Sequence, residues 1–244
     1  MPKLFNQETT VAQTVSNFSF TAARPDTLGS SEYTLVSIAL DRSGSVEPFK
    51  GELIKAYKEI IGACRKNPRA ENILVRATSF NSSLKEEHGF INLDAIDENS
   101  FDMSPYGGTA LYDSALESVE AAQAYGQKLT DLDFLVNGLV VIVTDGEENS
   151  SRTASPAKIK ATLDAIKKSE KMESVKVILI GLGADGNIAQ YLNVFKDAAG
   201  FDQFEHIKNT DAKGLAKMAN FISKSISSSS NSLGTGGPSV NLSI

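Results

Sequence analysis

Three short, largely apolar runs, residues 33–40, 138–143 and 175–180, constrain the fold of this chain more than any other feature. Mostly apolar runs rich in Val, Ile and Leu that end abruptly at polar residues are the pattern of strands buried on both faces of a parallel sheet. Segments with helical spacing lie between them. After the first run, Phe49, Leu53, Tyr57, Ile60, Ile61 and Cys64 make one apolar stripe, with Ser45 expected as N-cap and Pro48 in the first turn. A second strand is expected over 72–80 and, past the polar turn Asn81-Ser82-Ser83, an antiparallel partner over 84–91. Helices are expected over 110–127, from Ser155-Pro156 to about Lys171, over 187–198, and over 211–227, the last built on Leu215, Met218, Ile222 and Ile226. A short strand over 203–207 precedes that closing helix. The alternation implies an α/β, doubly wound, mainly parallel six-stranded sheet of order 3-2-1-4-5-6, with strand 3 antiparallel at the edge and helices on both faces.

A chain of 244 residues with 41% hydrophobic and 22% charged residues supports one such core. The domain is expected over 31–226. Residues 1–30 form an N-terminal arm whose Phe18 and Phe20 suit either a short edge strand or an arm packed on the domain. Residues 227–244 are expected as a flexible Ser/Gly-rich tail. A formal charge of −6 argues against nucleic acid as a partner, since that calls for a concentrated basic surface. Lys158, Lys160, Lys167, Lys168 and Lys171 do cluster, but around Ile159, Leu163 and Ile166 at helical spacing, which reads as a solvated helix face. No apolar run reaches the roughly 18–20 residues of a membrane span. Cys64 is the only cysteine and Met1–Gln7 lacks the apolar run of a secretory signal, so a cytoplasmic protein is expected.

The chemistry sits in three segments far apart in sequence: Asp41-Arg42-Ser43-Gly44-Ser45, Gly107-Gly108-Thr109 and Thr144-Asp145-Gly146. Asp41 ends the first strand and Asp145 ends the most apolar one. If those strands are neighbours, both carboxylates face the crevice at the topological switch point, where open α/β sheets bind ligands. Mg2+ takes about six oxygens and keeps several waters, so neutral hydroxyls from Ser43, Ser45 and Thr109, with Asp41 and Asp145 gripping waters, suit it or Mn2+. Gly44 and Gly107-Gly108 let the loops approach closely. Asp102 before this set and Glu147 and Glu148 after it, with Gly108, are expected to form an acidic partner-binding rim. Such a border favours a partner whose lone Asp or Glu stands in a basic setting.

Asp-x-Ser-x-Ser, a distant Thr and a distant Thr-Asp-Gly, in that order, resemble the metal-ion-dependent adhesion site (MIDAS) of the von Willebrand factor A (vWA) domain family, over roughly residues 33–225. The resemblance implies a protein-binding module in which Ser43, Ser45 and Thr109 coordinate Mg2+ or Mn2+ directly and Asp41 and Asp145 act largely through water. A partner's Asp or Glu completes the shell. Lacking disulfides and a signal sequence, the chain looks more like the stand-alone intracellular microbial members, some of which work beside AAA+ ATPases or in stress-response and defence assemblies.

Other signals point less well. Gly181-Leu182-Gly183-Ala184-Asp185-Gly186 is a literal dinucleotide fingerprint, but only one strand follows it, whereas that motif belongs to the first βα turn. A Mg-dependent phosphohydrolase of the aspartyl-phosphate type would want a carboxylate at position 43, where Ser43 stands. His88 and His206 lie outside the three segments and read as structural. The expected function is therefore non-enzymatic, with a phosphohydrolase-like enzyme or a structural subunit with a vestigial site as the alternatives.

Overall fold

The computed structural model describes residues 7–169, 171–183, 186–235 and 242–243. Its strands are β1 (Thr9–Gln13), β2 (Ser19–Ala23), β3 (Glu32–Asp41), β4 (Ile73–Phe80), β5 (Leu84–Asn92), β6 (Leu135–Thr144), β7 (Ser174–Leu182) and β8 (Gln203–Ile207). The helices are α1 (Lys50–Arg65), α2 (Leu111–Thr130), α3 (Pro156–Ser169), α4 (Gly186–Ala199) and α5 (Ala212–Thr235).

These strands form one sheet of order β1-β2-β5-β4-β3-β6-β7-β8. Six of them, β5-β4-β3-β6-β7-β8, keep the expected 3-2-1-4-5-6 order, with β5 antiparallel to β4 and the remaining pairs parallel. The sheet has eight strands, however, and not six. Residues 9–23 fold into an antiparallel hairpin, and β2 then lies parallel to β5, which is therefore no longer the edge.

The period-2 pattern of the strands sorts the core into two layers. Leu35, Ala39, Val140, Ile142, Val177 and Leu179 face α2, α3 and α4, while Val36, Ile38, Leu40, Leu139, Val141 and Ile180 face α1 and α5. Cys64 lies in the second layer, where burial pushes its thiol up to about 12, so it packs as a small apolar group.

A charged network inside the first layer ties the hairpin down. Arg76 of β4, 1% exposed, meets Glu117 of α2 at 2.9 and 2.5 Å and Glu86 of β5 at 2.7 Å. Glu86 also accepts from the Thr21 backbone N–H at 2.9 Å and its hydroxyl at 2.6 Å, standing in for ladder bonds between β2 and β5. At the hairpin turn, Glu120 accepts from the Ser16 N–H and hydroxyl. The two backbones come so close that a Cβ on Gly89 would lie 2.0 Å from the Thr21 carbonyl oxygen. Gly89→Ala is therefore expected to loosen the hairpin at a cost of about 1–3 kcal/mol. Hydrogen exchange would show the amides of 9–23 losing protection while those of β3 and β6 keep theirs; unchanged protection in the hairpin would contradict the packing.

Two local expectations are corrected. Ser45 does not cap a helix: Gly44–Phe49 is a 3-10 helix and α1 begins at Lys50. The stretch from 227 is not a free tail, because α5 runs on to Thr235 with Ser229 and Ser230 buried. Its serines have partners. Asn67 donates to the Ser227 hydroxyl, Arg69 to the Ser230 hydroxyl, and Asn137 to the Ser229 carbonyl. The glycine-rich residues 236–241 lie outside the described residues.

Candidate functional site

β3 and β6 are parallel neighbours, and the chain leaves β3 toward β4 on one side but reaches β6 through α2 on the other. Their carboxyl ends are thus the switch point, and the three sequence segments meet there. Asp41, 1% exposed, accepts from the Ser43 N–H at 2.7 Å and from the Thr144 hydroxyl at 2.5 Å. That clamp turns the chain after β3 so that the Ser43 and Ser45 hydroxyls lie 3.0 Å apart, and Ser45 in turn donates to Asp145 at 2.9 Å. Four of the five expected oxygen donors are therefore joined in one hydrogen-bonded chain.

Thr109 completes the set from the α2 side. The Gly44 N–H donates to the Gly107 carbonyl at 3.2 Å, and the Tyr106 N–H to the Arg42 carbonyl at 3.1 Å, so the first two segments are stitched together along the backbone. Thr109 is bound to the third: its N–H donates to the Asn149 side chain at 2.8 Å, and its carbonyl accepts from the Asn149 and Ser150 N–H groups. The Thr109 hydroxyl lies 3.5 Å from where a Cβ on Gly146 would stand. A Cβ on Gly108 would fall 2.3 Å from the Asn149 side-chain oxygen, so the approach of the second and third segments requires glycine there.

Burial raises the carboxyl groups of both acids. Asp41 is pushed up to about 6, with desolvation as the main cause and the bonds from Thr144 and Ser43 opposing it; Asp145 is raised for the same first reason. Hydroxyl and carboxylate oxygens with no imidazole or thiolate suit a hard divalent cation, and among the described residues no group of three or more His, Cys, Asp and Glu side chains is placed to hold a metal.

The expected rim is assembled unevenly. Glu147 and Asp102 are exposed, Asp102 accepting only from the Met103 N–H. Glu148 is committed elsewhere: its carboxylate accepts from the N–H groups of Tyr112, Ser150 and Ser151 and from the Ser151 hydroxyl, anchoring the third loop to the start of α2. Three residues escaped the sequence reading. Thr144 clamps Asp41, Asn149 locks Thr109, and Asp113 accepts from the N–H groups of Arg152, Thr153 and Ala154. Only Thr144 carried a signal, as the residue before Asp145.

Neither histidine joins the site. His88 contacts the Tyr57 hydroxyl and the Gly89 carbonyl, and His206 the Gly183 carbonyl. The dinucleotide-like loop falls partly outside the described residues, at positions 184 and 185.

No protein-family model matches the chain, and no curated protein matches it in sequence. Solved structures do share its fold. The PilB minor pilin from Streptococcus sanguinis superposes with a TM-score of 0.54 at 17% identity, over 91% of this chain and 67% of the pilin. The pilus adhesin SpaC from Lactobacillus rhamnosus GG gives 0.54 at 12% identity, over 91% of this chain and 34% of the adhesin. Proximal thread matrix protein 1 from the mussel byssus, in a form with a zinc-occupied MIDAS motif, gives 0.52 at 18% identity, over 80% of this chain and 46% of that protein. The chain thus spans about two thirds of the pilin and less than half of the other two. At these identities the likeness is one of fold, a mainly parallel α/β sheet with its loop cluster at the switch point.

Proposed function

We propose that the chain is a divalent-metal-dependent protein-binding module, in which Ser43, Ser45 and Thr109 hold Mg2+ or Mn2+ directly and Asp41 and Asp145 hold it mainly through water. A partner's Asp or Glu takes the open position. The observation that carries this reading is the chain of contacts from Ser43 through Ser45 to Asp145, beside an Asp41 clamped by Thr144. Neutral hydroxyls leave a bound cation electron-poor, which favours an incoming carboxylate. Ser45 is exposed and Asp145 partly so, which leaves the cluster within reach of another molecule. The zinc at the MIDAS motif of the byssus protein supports metal binding by this fold.

The activity is recognition and not catalysis, because the hydroxyl at Ser43 leaves an aspartyl-phosphate mechanism without its second carboxylate. We place the module in the cytoplasm, as an adaptor for an assembly such as an AAA+ ATPase or a stress-response or defence complex. The lone buried Cys64, which has no cysteine in the chain to pair with, supports that setting. Immobilised chain should retain a defined partner in Mg2+ and release it in chelator, and the Ser43→Ala/Ser45→Ala double variant should retain none. Retention that ignores both chelator and substitution removes the metal from the mechanism, and Mg2+-dependent phosphate release lost in Asp145→Ala would favour the enzyme.

A further inference from the structure

Tyr106 stands out at the edge of the loop cluster. It is 58% exposed, yet its backbone is fixed at both ends: its N–H donates to the Arg42 carbonyl at 3.1 Å and its carbonyl accepts from the Asn81 side chain at 2.9 Å. An aromatic ring held out in water on a clamped backbone, one residue before Gly107, is neither core nor part of a mobile tip.

What lies beneath the ring makes it unusual. The Arg42 guanidinium sits 5.3 Å from the ring centroid, and Arg42 is only 8% exposed. Among the described residues no carboxylate pairs with Arg42, and its Nε has no hydrogen-bond acceptor. Arg42 thus places its guanidinium against the aromatic face of Tyr106 with no carboxylate between them. Arg42 is also the residue between Asp41 and Ser43. Meanwhile Glu148, expected to make the border acidic, is occupied by four donors. Arg42 therefore brings one positive charge to a rim that also carries the exposed acids Glu147 and Asp102.

From this juxtaposition we infer that Tyr106, backed by Arg42, is the specificity-determining surface of the metal site, and that it selects a partner segment in which the metal-seeking Asp or Glu is flanked by an apolar or aromatic side chain. The inference rests on the metal-dependent capture proposed above and narrows it. A cation already occupies the inner face of the ring and draws its electron density inward, so the outer face packs an apolar neighbour and disfavours Lys or Arg. It differs from the basic setting expected from the acid count of the sequence, and the eluted peptides decide between the two.

The test is a displayed library of random linear peptides, panned on the immobilised full chain in Mg2+ and eluted with chelator. The eluted pool should be enriched in Asp or Glu with Phe, Tyr, Leu or Met beside it. On Tyr106→Ser the acidic enrichment should persist while the apolar neighbour disappears, and single peptides from the first pool should bind about three- to tenfold more weakly. Tyr106→Phe, which keeps the ring, should retain the apolar neighbour in its eluted pool. A chelator-eluted acidic pool with basic or random neighbours, the same on Tyr106→Ser, overturns this inference and leaves metal-dependent capture standing. A pool without acidic residues, or one that chelator does not release, overturns the capture reading and this inference with it.

Discussion

Asp41→Ala is expected to weaken Mg2+ binding by about 10–100-fold, the range for residues that orient metal ligands, with the fold retained. Asp41 does two things that alanine cannot. One oxygen fixes the Ser43 N–H and the other the Thr144 hydroxyl, which together set where the Ser43 and Ser45 hydroxyls point. It also brings negative charge to a place where burial disfavours it, and that charge is useful only beside a cation. Losing the carboxylate removes an unfavourable buried charge along with two hydrogen bonds, so the chain stays folded. Calorimetric titration of Mg2+ and thermal melts in chelator separate the two effects. A variant that unfolds in chelator would make Asp41 a structural residue, and one that binds Mg2+ unchanged would remove it from the site.

The largest stability effect is expected at Arg76. Arg76→Met strands Glu117, 3% exposed and deprived of its bidentate partner, and breaking a buried pair in this way costs about 3–5 kcal/mol. Arg76→Met/Glu117→Leu should recover most of that loss, because packed apolar groups replace the ion pair without leaving an unpaired charge. The two variants share one local effect. Glu86 bridges Arg76 to Thr21, so losing the arginine loosens β2, and hydrogen exchange in 9–23 should rise in both. Equal denaturant midpoints for the single and double variants would contradict the charge argument.

The sequence made β3, β6 and β7 legible because strands buried on both faces carry mostly apolar runs, and no neighbour is needed to read them. The hairpin was ambiguous for the opposite reason. Ser19–Ala23 is short and polar at its start, and its attachment comes from Glu86, 65 residues away at Thr21, which no local pattern encodes. Serine composition hid the last turns of α5. Ser223 and Ser227 donate back to the carbonyls four residues earlier, a bond that slightly weakens an isolated helix, so packing against α1 is what keeps the segment helical. At the site, the strand ends and the convergence of the loops bearing Asp41, Ser43, Ser45, Thr109 and Asp145 were readable from motif and strand position. The clamp from Thr144, the commitment of Glu148 to backbone donors and the stacking of Arg42 under Tyr106 were not, because each is a contact between loops whose spacing only the folded sheet defines.

Diffraction from a crystal soaked in Mn2+, collected for anomalous signal, is the most direct test of the central claim. One peak within coordination distance of the hydroxyls of Ser43, Ser45 and Thr109, flanked by Asp41 and Asp145, is the predicted result. An ordered site that stays free of anomalous density at millimolar Mn2+, or a peak held by other residues, would contradict it.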